Sequence, residues 1–316
     1  MVSNIQISLF FQFITKVNFK LINDMDKLIE RTNIIGGEWI YYKIYSGVEN
    51  ADEIIRIVNE VALKLFDLEV LELWFFIRYA DPKQHLRIRF KCKNSEAVGS
   101  IISEMHKALN PLVSKDLIWK VQLDTYNREV ERYGKNTIEY SEILFYYDSI
   151  MVVDYLNNFN DENLRWMFSL IAIDNHLDIF NYNLNEKYNL LNSLSTGFKN
   201  EFIQSKTLNQ GLNDRYRLYR KDIESVMNKT NEYSLFYSIL ENKKRSLKKI
   251  SDYIISLKEK NNLEVDFDEL NSSYIHMMMN RLFSMENRKF EMVCYEFLNR
   301  YYKSKIAQQK LFKENS

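Results

Sequence analysis

Apolar and polar residues change rhythm once along the chain. From Gly37 the pattern alternates between extended and helical texture. Trp39–Tyr45 (WIYYKIY) is aromatic and β-branched and predicts a strand, and Ala51–Leu65 carries apolar residues at helical spacing. Leu73–Tyr79 (LWFFIRY), a turn at Asp81-Pro82 and His85–Cys92 (HLRIRFKC) then read as a hairpin whose second arm alternates between two faces. Ser95–Leu109 repeats the helical period, Pro111 is expected to break it, and Leu117–Tyr126 (LIWKVQLDTY) reads as a fourth strand. The order β-α-β-β-α-β is that of the ferredoxin-like split βαβ unit, a four-stranded antiparallel sheet with two helices on one face.

Beyond Gly134 the texture becomes long and amphipathic: Thr137–Asn157, Glu162–Phe180, Ser234–Lys258 and Tyr274–Lys303 all predict helices. The only prolines, Pro82 and Pro111, lie before this region. Asn181–Lys199 is polar and mixed in pattern, and reads as a connector or as a loop over a site. The expected class is therefore α+β, an N-terminal ferredoxin-like sheet followed by a mainly helical half. Residues 1–35 are expected to be a poorly ordered extension, or the true start is at Met25; residues 36–316 form the domain, with an α/β part over 36–134 and a helical part over 135–316. The apolar run Ile7–Ile14 (ISLFFQFI) is too short to span a bilayer, and Lys16 and Lys20 follow it where a signal peptide would have positive charge in front. Export is not expected.

Composition narrows the chemistry. With 43 basic and 43 acidic residues the formal net charge is zero, so no overall field attracts nucleic acid or an anionic membrane, and any anion site must be local. Cys92 and Cys294 lack metal or redox spacing and read as reduced, buried thiols. Phosphate-loop, dinucleotide, nucleophile-elbow and zinc motifs are missing. What remains is a metal-free, cofactor-free set of arginines, carboxylates and a histidine.

Arg87 and Arg89 are two apart on one strand and so share a face, where they either meet water or meet an anion. His85 opens the strand on the same side. Asp124, Arg128, Glu129, Glu131 and Arg132 crowd the end of the fourth strand (LDTYNREVERYG), as an ion-pair network or as part of a site. His276 and Asn280 lie one turn apart in SSYIHMMMNRL, beside Arg281. A lone helical histidine is more often structural than catalytic, and His106 and His176 are read that way outright.

Taken together, WIYYKIY, the WFFIRYADPKQHLRIRF segment at Trp74–Phe90, LDTYNREVERYG at Leu123–Gly134 and IHMMMNRL at Ile275–Leu282 resemble the lantibiotic-dehydratase C-terminal, thiopeptide-type bacteriocin biosynthesis domain, from about Gly36 onward. The resemblance implies a cofactor-independent carbon-oxygen lyase that eliminates glutamate from O-glutamylated Ser/Thr of a bacteriocin precursor, giving dehydroalanine or dehydrobutyrine. It assigns catalysis to Arg87, Arg89, Arg128 and His276, and substrate binding to His85, Asp124, Asn280 and Arg281. Members often carry a second histidine two places after the first; here that position is Met278, which puts any shared role of such a pair in doubt. The implied partners are the precursor peptide, leader and glutamylated core, and a separate tRNA-dependent glutamylating subunit. A cyclase and a homodimer are compatible with this reading, direct nucleic-acid binding is not expected, and the implied location is cytoplasmic, or peripheral to the membrane within a complex. Two other readings compete: a formal [4+2] cycloaddition enzyme (pyridine synthase) of thiopeptide assembly, and a non-catalytic scaffold that binds the leader.

Overall fold

The computed structural model describes residues 29–159, 161–201 and 206–314. The expected extension and the Ile7–Ile14 run lie mostly or wholly outside the described residues. A short strand β1 (Thr32–Asn33) leads into β2 (Trp39–Ser46), α1 (Val48–Asp67), β3 (Leu71–Tyr79), β4 (His85–Cys92), α2 (Ala97–Val113), β5 (Ile118–Asp124) and β6 (Tyr126–Asn127). The four long strands form an antiparallel sheet in the order β3-β4-β2-β5, and β1 pairs β6 separately. This is the order the ferredoxin-like reading requires.

Alternation sorts the sheet into two faces. Ile40, Ile44, Trp74, Phe76, Leu86, Ile88 and Phe90 are buried on one. Arg78 shares that face through its pairing with Leu86 and meets Asp52 of α1 at 2.5 Å, which locates α1 there. Pro111 does not end α2. It falls in the last turn, where it removes one hydrogen bond, to the Lys107 carbonyl, and the helix runs on only to Val113 and closes through Ser114 N–H donating to Asn110 O at 2.9 Å.

After the turn α3 (Val130–Tyr133) come α4 (Ile138–Asn158), α5 (Glu162–Ile179), α6 (Leu184–Glu201), α7 (Lys206–Met227), α8 (Ser234–Glu259), α9 (Phe267–Leu282) and α10 (Asn287–Glu314). Contacts divide the described chain into two compact units: one up to Asn157 together with Ser246–Phe267, the other Asn158–Arg245 together with the chain from Asp268. Thus α4 and the end of α8, which the sequence pattern groups with the helical half, belong with the sheet. There Tyr140 stacks on Tyr253 at 4.4 Å, and Phe145 of α4 packs edge-on against Phe75 at 5.4 Å. That contact sets α4 against the sheet face opposite α1.

In the second unit the polar stretch read as a loop is helix α6. Its start is a reciprocal cap: the Asn183 side chain accepts from Asn185 N–H (3.0 Å) and Glu186 N–H (3.1 Å), while Glu186 accepts from Asn183 N–H (2.7 Å). Leu190 and Leu191 are buried, and Lys187 reaches Asp174 and Asp178, both at 2.5 Å. Polar residues thus face other residues of the unit, and periodicity alone does not register them.

His176 is fully buried beside Phe180 and Tyr274, with Nε2 against Asn271 Oδ1 at 3.0 Å; burial, with Lys243 adding to it, pushes its pKa down to about 3. A histidine held neutral in the fold contributes stability that is complete above its unfolded value of about 6.5 and is lost as pH falls from there toward 3. Denaturant titrations between pH 7 and pH 5 are expected to show wild type losing more stability than His176→Gln, the difference approaching about 1.4 kcal/mol per pH unit below the unfolded value. Equal losses would contradict a buried neutral His176.

Candidate functional site

Cross-strand register builds the site in the first unit. Arg89 on β4 lies opposite Tyr41 of β2 and Phe75 of β3, and Tyr41 in turn lies opposite Asp124 of β5. This is the face α4 partly covers, so the solvated reading of this face fails for Arg89, which is 7% exposed. Its guanidinium lies 4.6 Å from the Tyr41 ring, 4.6 Å from Tyr126 and 5.3 Å from Phe75. Nε and Nη1 are buried and make no hydrogen bond. Buried polar groups are nearly always paired, so these N–H groups are donors left open to an acceptor.

Arg87, one step along the same face, is half-buried. Its guanidinium sits 3.4 Å from the centre of the Tyr79 ring, and its Nε–H donates to His85 Nε2 at 3.2 Å. The other His85 nitrogen, Nδ1, faces the Lys83 carbonyl at 2.8 Å, so the proton resides on Nδ1 and Nε2 accepts. Burial, aided by Arg87 and Lys43, lowers the His85 pKa against the pull of that carbonyl. His85 is stacked on Tyr45 at 4.7 Å, which holds the ring in place where it accepts from Arg87. Asp124 is ion-paired to Lys43; that hydrogen bond lowers the Asp124 pKa and raises the Lys43 pKa. Lys43 was invisible to motif reasoning, although its place in WIYYKIY puts it on the Tyr41 and Tyr45 face.

Arg128 is buried but fully engaged, unlike Arg89. Nε and Nη2 fork onto Glu142 of α4 at 2.8 and 2.9 Å, and Nη1 donates to Glu30 O at 3.0 Å. Burial works against its charge, but the Glu142 carboxylate outweighs it and raises the Arg128 pKa. Tyr126 donates its hydroxyl to the same carboxylate at 2.8 Å, and burial followed by that negative charge holds its pKa well above the ordinary value. Glu142 thereby fixes both Arg128 and a ring that boxes Arg89. Among the other charges there, Arg132 pairs with Glu129 at 3.3 Å on the surface.

In the second unit His276 is partly exposed on α9. Its Nδ1 lies 2.9 and 3.0 Å from the two oxygens of Glu291 on α10, and the Glu291 side chain is completely buried. Asn280 is half-buried on the same helix. Arg281 is fully buried and donates Nη1–H to Met277 O, one turn back on its own helix, at 2.8 Å. Glu291 gave no signal in the sequence, being fifteen residues from His276 in the next helix. His106 is exposed, and Cys92 and Cys294 are free and buried, burial raising their thiols to about 11 and about 12.

Among the described residues, no helix is long and apolar enough to cross a membrane. Among curated proteins, nisin biosynthesis protein NisB of Lactococcus lactis subsp. lactis is 25% identical over 269 residues, 82% of this chain and 25% of the relative. Subtilin biosynthesis protein SpaB of Bacillus subtilis is 24% identical over 255 residues, 79% of this chain and 24% of the relative. The chain spans about a quarter of the length of these relatives. Of solved structures, the tRNA-dependent lantibiotic dehydratase MibB from Microbispora sp. 107891 superposes with a TM-score of 0.67 at 17% identity, over 86% of this chain and 28% of that one. TsrL gives 0.66 at 10% identity, over 85% and 95%. The pyridine synthase TbtD from thiomuracin biosynthesis gives 0.57 at 11%, over 84% and 99%. At these identities the structural likeness establishes the fold alone. The family described as lantibiotic biosynthesis dehydratase C-terminal matches residues 39–302, and with most of its length so matched the chain belongs to that family.

Proposed function

We propose that the protein is a cofactor-independent lyase that eliminates glutamate from O-glutamylated Ser or Thr residues of a bacteriocin precursor peptide. The observation that carries this reading is the buried, unpartnered guanidinium of Arg89 in its box of Tyr41, Tyr126 and Phe75. In this elimination a base takes the α-proton of the acylated residue, the electron pair forms the Cα–Cβ double bond, and the Cβ–O bond breaks to release glutamate as a carboxylate. Negative charge develops on the enolate oxygen and on the leaving group. Arg89 receives an anion with its unpaired N–H groups, Arg87 adds a second, aimed guanidinium, and His276 handles the proton. Asp124 tethers Lys43 on the sheet face that carries Arg87 and Arg89, and Asn280 is assigned to substrate contact on the His276 helix. Arg128 serves through Glu142 and Tyr126. The reaction requires the precursor peptide and a glutamylating activity that acts on it first.

Purified protein given a chemically glutamylated precursor, without ATP or tRNA, is expected to lower the peptide mass by one glutamic acid per acceptor, leaving each one water lighter than the unmodified residue. A second reading is cycloaddition between dehydroalanines. It predicts an unchanged glutamylated peptide and macrocycle formation from a multiply dehydrated one. Tight peptide binding with neither reaction would instead support a leader-binding scaffold.

A further inference from the structure

We infer that Glu291 is the positioning residue for His276: it fixes the proton of the imidazole on Nδ1 and presents Nε2 as the nitrogen that takes the substrate proton. The inference rests on the elimination reading above and adds to it a residue and an assignment of ring nitrogens. Both Glu291 oxygens lie within hydrogen-bond distance of Nδ1, at 2.9 and 3.0 Å. A carboxylate only accepts, so Nδ1 donates. The ring is 28% exposed whereas the carboxylate is completely buried, so the pair opens to solvent through the imidazole alone. Nε2 makes no hydrogen bond to any described residue.

The carboxylate is itself held. Tyr295 hydrogen-bonds to it from one turn further along α10, and Arg288, one turn before, brings Nη1 to 3.7 Å of Oε2. Arg288 is the positive charge at this carboxylate, and it also pairs with Glu201 of α6. A fixed, desolvated carboxylate behind an imidazole selects the tautomer, orients the ring and stabilises the imidazolium that forms when Nε2 accepts a proton. A free imidazole prefers its proton on Nε2, where it would block the base. Glu291 reverses that preference.

Two measurements on the full chain test this. With 15N-labelled histidine, the nitrogen shifts of neutral His276 in substrate-free protein are expected to place the proton on Nδ1 in wild type and in Glu291→Asp, and to move it to Nε2 in Glu291→Leu. With the glutamylated precursor, Glu291→Leu is expected to lower kcat about tenfold to a hundredfold with KM within about twofold, and Glu291→Asp to restore part of it. Should the leucine variant fail to fold, Glu291→Gln keeps the shape and loses the charge. Its kcat falls, with KM within about twofold. A wild-type ring protonated on Nε2 overturns the inference, as do Glu291 variants with unchanged kcat in an active enzyme. A wild type with the Nδ1 proton in place that leaves glutamylated peptide untouched overturns the elimination reading and leaves the pairing standing.

Discussion

Arg89→Met is expected to abolish elimination and to leave the protein as stable as wild type or more so. Two terms set the stability. Removing the guanidinium forfeits its contacts with the rings of Tyr41, Tyr126 and Phe75, each worth about 0.5–2 kcal/mol. It also removes the cost of holding a charge out of water, several kcal/mol for an ion, together with two buried N–H groups that cost about 1–3 kcal/mol each when unmade. The second sum matches or exceeds the first, and the methionine refills the slot with apolar, polarisable volume. For activity nothing compensates. A donor aimed at developing negative charge contributes about a hundredfold to a thousandfold, so glutamylated peptide should persist, and free glutamate, which should raise the melting temperature of wild type, should leave the variant's unchanged. Calorimetry and peptide mass spectrometry read both effects. A variant destabilised by several kcal/mol that still forms dehydroamino acids would make Arg89 a structural cation and remove the main support for the proposed function.

That combination of lost function and retained stability bears on what could be read in the sequence. The strand order was legible because the sheet obeys local rules: WIYYKIY and HLRIRFKC alternate with the period of a pleat, and a cross-strand face follows from that period. The same alternation put Arg87 and Arg89 on one side. It left open whether that side met water, because the answer lies in α4, whose Phe145 packs on Phe75 from about seventy residues further along the chain and whose Glu142 accepts from Tyr126. Helix α6 was missed because its polar residues pair with Asp174, Asp178 and Glu296, so its buried side does not look apolar. His276 was legible through the family resemblance, whereas Glu291 was not, since nothing in a helix announces which carboxylate will turn toward a histidine in another. The full burial of Arg281 was equally out of reach, since a polar residue beside Asn280 does not announce what packs over it. Periodicity reports which residues share a face; what covers the face is a long-range fact.

Arg128→Met should behave in the opposite way to Arg89→Met, although both remove a buried arginine. Here the truncated group has a partner, and Glu142, 1% exposed, would be left with its negative charge buried and its only strong donor lost apart from Tyr126. Breaking one half of such a pair costs about 3–5 kcal/mol, against a pair that itself contributes little when both halves are replaced by apolar residues. The double variant Arg128→Met with Glu142→Leu is therefore expected to recover most of the loss, coming within about 1 kcal/mol of wild type in denaturant unfolding. Activity separates the remaining roles. If Arg128 acts by holding Glu142 and through it the Tyr126 ring over Arg89, the double variant loses only the hydroxyl anchor of that ring; with roughly 1–2 kcal/mol of positioning gone, kcat/KM should fall about tenfold. If Arg128 instead grips the leaving glutamate, restoring stability cannot restore turnover, and the double variant should be as inactive as Arg89→Met. The forked geometry on Glu142, with both guanidinium nitrogens of the fork committed at 2.8 and 2.9 Å, favours the first outcome.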